Sequence, residues 1–195
     1  MPIRDLNTHG ASEALRAGLK VVLQAPHHAN LRAMLKDEES PKVLAFGQHA
    51  VYAIPASRLE HRLDLRDAEP SSIRYFIGST DAPSAVADIA PATESQPASF
   101  SRLTRGPKVD RLWSAFKIAA DLTTQNVEAR GLEIPALSVS ALWLSHPHSV
   151  QDQIILLFEV HADLVELRPY PRSAFLRALD PVWKRYLAGP EEYPI

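Results

Sequence analysis

LEIPALSVSALWLSHPHSVQDQIILLFEV, residues 132–160, contains two apolar runs, roughly 137–144 and 153–160, on either side of a short polar loop. A strand that faces water on one side alternates apolar and polar residues, whereas one buried on both sides is apolar throughout. Both runs are of the second kind. They predict a β-hairpin near 137–160 at the centre of a sheet.

Elements on both sides follow from periodicity. Downstream, Phe175, Leu179, Val182, Trp183 and Tyr186 recur at helical spacing. Asp180–Pro181 predicts a restart within that stretch, and Gly189–Pro190 its end. Upstream, Pro107 opens a helix to about Leu122, with Val109, Leu112, Trp113, Phe116, Ala120 and Thr123 on one stripe. Residues 81–107 are rich in Ala, Ser, Thr and Pro and are read as a long connection. Residues 73–77 and 59–66 read as strands, the latter placing Leu59, His61, Leu63 and Leu65 on one face.

Runs at 43–46 and 50–54 flank Gly47–Gln48, which fits a tight hairpin or one continuous bulged strand. Near the N-terminus, Leu15, Leu19, Val22 and Leu23 form a helical stripe with Ser12 as its expected cap. A second short helix carries Leu31, Met34 and Leu35. The order is helices, strands, connection, helix, strand pair, helix. It predicts one α+β domain over residues 1–195, with a mostly antiparallel sheet and helices packed on it.

Composition sets the outer limits. The chain has 195 residues, enough for a core that needs no covalent staple. Its 46% apolar and 23% charged residues are ordinary, whereas 16 prolines are roughly 8% of the chain against about 5% on average. Net charge is −2, which gives no global attraction to nucleic acid or anionic lipid. With no cysteine there is neither disulfide nor thiolate metal site. The longest uninterrupted aliphatic or aromatic run, at 154–158, is far short of the ~20 residues that span a bilayer. No signal segment is visible at the N-terminus, so a cytoplasmic location with no membrane association is expected.

Eight histidines invite a metal reading, above all His146 and His148 with His161 and Asp163 downstream. The hairpin argues against it. About eight residues at ~3.4 Å each put His161 roughly 25 Å from the turn. No metal and no cofactor are expected. His27–His28 reads as a polar helical turn, and His61 as a partly buried histidine.

A sharper signal is the crowding of Arg102, Arg105, Lys108 and Arg111 around the start of the helix at Pro107. A helix N-terminus already carries about half a positive charge, so cations there are unfavourable by a few tenths of a kcal/mol or more each. Asp110 is the only opposing charge within the segment. An anion, an acidic partner, or the chain's own Asp81, Asp88 or Glu94 would relieve the repulsion. A second basic group, Arg168, Arg172, Arg177, Lys184 and Arg185, shares its region with Trp183 and Tyr186. Its helical spacing reads as a wet face beside core aromatics rather than a nucleic-acid grip.

No GxSxG, HExxH, GxxxxGK[ST], post-strand GxGxxG or EF-hand pattern occurs. The expected function is a non-enzymatic protein-binding module that uses Arg102, Arg105, Lys108 and Arg111 to dock an anion or an acidic protein partner. The alternative is a small hydrolase or transferase acting on an anionic, phosphorylated substrate, with His49 or His61 as the acid–base group.

Overall fold

The computed structural model describes residues 8–22, 24, 45–122, 127–158 and 163–189. The protein is of the α+β class, with eight strands in a mixed, mostly antiparallel arrangement and four helices among the described residues. By internal contacts it divides into two compact units, Met1–Ala50 with Ser71–Trp113, and Val51–Pro70 with Ser114–Ile195.

In the first unit the strand order is β4-β3-β2-β1, with β1 Ala45–Ala53, β2 Glu69–Gly78, β3 Pro83–Ala90 and β4 Ser99–Arg105. β2–β3 and β3–β4 are antiparallel. Helix α1, Ala11–Val22, lays Ala11, Leu15 and Leu19 against Ile73, Tyr75, Ile77, Ala85, Ala87 and Ile89. The alternation of these residues along β2 and β3 makes one sheet face the core for α1. Contact is close: a Cβ on Gly18 would lie 2.0 Å from Cγ of Phe100, so only glycine fits there.

Two expectations are corrected here, and at Gly47 one of two alternatives is selected. Residues 81–107 are not a connection, since β3 and β4 occupy most of them. Ala and Ser disguise these strands because small side chains carry little strand signal, yet Ala85 and Ala87 are needed under α1. The Gly47 region is one continuous strand, and not a tight hairpin. Gly47 sits at φ +60°, and a Cβ there would come within 2.8 Å of the Phe76 ring. Ser12 does not cap α1, which begins at Ala11; its side chain bonds Tyr75 instead. The helix expected around Leu31, Met34 and Leu35 lies outside the described residues, as do His27, His28 and His161.

In the second unit the order is β1-β5-β6-β7-β8, with β5 Glu128–Ile134, β6 Val139–Ser145, β7 Gln153–Leu156 and β8 Pro169–Pro171. The end of β1 pairs parallel to β5, and the other pairings are antiparallel. β6 and β7 form the expected central hairpin, buried on both faces. Asp152 organises its turn: the buried carboxylate accepts from Trp143 Nε1 at 3.0 Å and from the His146 backbone N–H at 2.9 Å.

Residues 59–66 are a further correction. They form the end of a short helix, α2 Ala56–Leu59, and the approach to a 3-10 turn at Leu65–Asp67. Asp64 caps that turn by accepting from Arg66 N at 3.0 Å, and Arg62 grips Asp67 bidentately at 2.8 Å. These local bonds override the period-two pattern, and His61 is exposed instead of sharing a buried face.

Helices α3, Pro107–Leu122, and α4, Arg172–Ala188, complete the set. α3 starts at Pro107 and ends at Leu122, where periodicity puts it. α4 does not restart at Asp180–Pro181 but runs through Pro181 to Gly189. Proline inside a helix gives up one backbone hydrogen bond. Burial of Phe175 and Leu179 and the Trp183 Nε1 bond to the Leu59 carbonyl at 2.7 Å hold the helix in place around that loss.

Candidate functional site

In the first unit β4 hands the chain to α3 through Gly106, whose φ of +79° lets the chain turn and whose surroundings are open. The Val109 N–H donates to the Gly106 carbonyl at 2.8 Å, closing the first turn. The four predicted cations lie on this corner, Arg102 and Arg105 in β4 and Lys108 and Arg111 in α3.

The structure does not present them as one cluster. Arg102 pairs across the sheet with Asp88, and Arg105 with Ala85, which belongs to the face covered by α1. Three residues apart on a strand, the two arginines leave opposite faces. Lys108 and Arg111, three apart on a helix, are neighbours on one face.

Beneath Arg102 lies a row of charge that no motif announces. Arg74 on β2 is 1% exposed and holds Asp88 on β3 bidentately, Nε at 2.6 Å and Nη2 at 3.0 Å. Arg102 Nε reaches the same carboxylate at 2.6 Å, with 52% of its side chain exposed. Burial works to raise the Asp88 carboxyl, but its bonds to Arg74 and Arg102 outweigh that and hold it below the usual carboxylate range. The three groups leave a net charge of +1, and Arg102 carries it to the surface.

His49, on β1, stands near this row. It is buried and bonds the Gly47 carbonyl through Nδ1 at 2.8 Å, with its ring 5.7 Å from that of Phe76. Burial, helped by the Arg74 charge and opposed by the Gly47 carbonyl and Asp88, brings the imidazole down to about 4. It is neutral at pH 7. Phe46, Phe76 and Trp113 pack ring to ring beside it, and Trp113 Nε1 donates to the Asp81 carbonyl at 3.0 Å, fixing α3 to the β2–β3 loop.

The sequence names Asp88 among the carboxylates that could offset the basic turn, and Arg102 does meet it, but Arg74 and its buried pairing with Asp88 were missed. The signal was present as a single charge set inside each of two apolar runs, IRYFI at 73–77 and AVADIA at 85–90, of opposite sign. Buried charges are paired, so each charge calls for the other.

His146 and His148 lie at the β6–β7 turn. Among the described residues no group of His, Asp and Glu is arranged to hold a metal ion. Comparison of the chain with protein families, with curated proteins and with solved structures returned no match.

Proposed function

We propose that the protein is a non-enzymatic binding module whose β4–α3 corner docks an acidic segment of a protein partner. The charge count at the corner carries this reading. Arg102, Arg105, Lys108 and Arg111 fall within ten residues of one another. Asp88, the carboxylate that meets Arg102, is already engaged by buried Arg74. Arg102 therefore keeps a net positive charge near the helix N-terminus, and this favours an incoming carboxylate. Arg105, Lys108 and Arg111 supply the contacts. Arg102, on the other face of β4, adds to the field, which reaches about 8 Å at physiological salt.

The alternative, acid–base chemistry on a phosphorylated substrate, is served poorly by His49. An imidazole buried in the core cannot meet a substrate, and His61, the other acid–base candidate, is exposed but belongs to the second unit.

The test uses a fluorescein-labelled hexaglutamate peptide followed by anisotropy at low ionic strength. Binding that weakens about tenfold or more in Arg105→Glu/Lys108→Glu, in line with the loss of charge-assisted contacts, and that fades as salt is added supports the corner. A peptide that binds both proteins equally, or neither, overturns it.

A further inference from the structure

The second unit carries a separate feature, a surface cleft of about 460 Å³ lined by Leu63, Leu176, Arg177, Asp180 and Trp183. That volume is within the range of small-molecule sites, roughly 300–1,000 Å³. Its walls are of two kinds. Leu176, Asp180 and Trp183 follow one another at four and three residues along α4, so they form one stripe of the helix, and Leu63 faces them from the loop after α2.

Two details make this more than an apolar dent. First, the indole is fixed, because Trp183 Nε1 donates to the Leu59 carbonyl at 2.7 Å and sets the ring plane before any ligand arrives. Second, the charges in the cleft are unequal. Asp180 is matched by Lys184 at 2.7 Å, one helical turn on. Arg177, by contrast, has no carboxylate partner among the described residues. The cleft thus offers an aromatic platform, two leucines and one guanidinium whose charge no carboxylate among the described residues cancels.

We infer that this cleft binds a small aromatic carboxylate, its ring against the Trp183 indole and its carboxylate on the Arg177 guanidinium. Ring stacking gives such a ligand its apolar contact, and the planar guanidinium fork matches a carboxylate in shape as well as charge. A neutral aromatic finds only the first of these. A cationic one meets Arg177, with Asp180 already engaged by Lys184. This inference does not depend on the β4–α3 corner, and neither arginine nor indole here belongs to that reading.

The experiment is a titration of the full chain with 2-naphthoate and, in parallel, with its neutral relative 2-naphthalenemethanol, followed by the Trp183 indole N–H resonance. Arg177→Gln is the variant of choice, since Arg177 is exposed on α4 and its loss leaves the fold intact. The expected result is that naphthoate shifts the Trp183 resonance and binds about tenfold less tightly to Arg177→Gln, while the alcohol binds both proteins alike. Naphthoate that leaves the Trp183 resonance unmoved overturns the inference, as does equal affinity for both proteins. Hexaglutamate binding is measured on Arg177→Gln as well; if it is retained while naphthoate binding is lost, the two sites are independent.

Discussion

Each unit holds an aspartate between two arginines, and the two arrangements are chemically alike but physically opposite. Asp88 lies on a central strand, 3% exposed, against Arg74 at 1% and Arg102 at 52%. Asp64 lies in a loop, 13% exposed, against Arg66 at 69% and Arg172 at 16%. Asp88 joins three neighbouring strands, whereas Asp64 caps a 3-10 turn and ties it to the start of α4. The difference lies in what remains when the carboxylate goes. Arg66 and most of Arg102 can turn to water. Arg74 cannot.

The largest expected effect tests that asymmetry. Asp88→Asn leaves a guanidinium buried without its counter-charge, which costs about 3–5 kcal/mol. Urea unfolding at pH 7 measures it. The double variant Arg74→Met/Asp88→Leu removes both charges and is expected near the wild-type midpoint or above it, because a buried pair often contributes little beyond an apolar pair of similar size. A loss below about 1 kcal/mol for Asp88→Asn, the range of a surface pair, would erase the contrast between the two aspartates.

His49 extends the comparison to pH, as the Asp88 row has a buried titratable neighbour. Its folded value, about 4, lies below the ordinary 6.5, so between these two values the unfolded chain binds more protons than the folded one. Stability is therefore complete above pH 6.5 and declines as pH falls towards 4, by up to about 3 kcal/mol from this group. His49→Leu gives up the bond to the Gly47 carbonyl and so starts lower at pH 7, but its deficit should shrink across this window. Urea midpoints at half-unit pH steps provide the check, and a constant deficit from pH 7 to 4 contradicts the assignment.

These features were unevenly visible in the sequence. The β6–β7 hairpin and the bounds of α3 were legible from burial on both faces and an opening proline, whereas the buried stripe of α3 runs through Val109, Leu112, Ala115 and Ala119 and leaves Ala120 exposed. Residues 59–66 misled because Leu59, Leu63 and Leu65 fit a period of two while Asp64 and Arg62 made local bonds that no period reports. β3 was hidden by its own function in packing, since the alanines that admit α1 are weak strand formers. The four cations of the candidate site stood out at once. The division of Arg102 and Arg105 between two faces of β4 did not, because it depends on a strand that composition concealed. The Arg74–Asp88 pair is readable in principle, but only by pairing two runs of which one reads as a connection.

The smallest effect belongs to the loop aspartate and sharpens the comparison from its other side. Burial works to raise the Asp64 carboxyl, but the Arg66 side chain and backbone N–H, together with Arg172, outweigh it and hold the group down to about 2, against an ordinary 3.8. A carboxyl depressed by folding contributes stability that is present above its unfolded value and lost as pH falls through the folded one. That window runs here from about pH 4 down to about 2. Asp64→Asn should therefore cost about 1 kcal/mol at pH 7 once solvent screening around the exposed Arg66 is counted, less than Asp88→Asn because both arginines it releases have some access to water. The deficit should close as pH approaches 2, where the wild-type carboxyl is itself protonated. Thermal unfolding of the two proteins across that range decides it. A deficit that stays constant down to pH 2 would mean that Asp64 acts through the neutral bond to the Arg66 backbone N–H, which asparagine can partly replace, and that its two arginines contribute nothing.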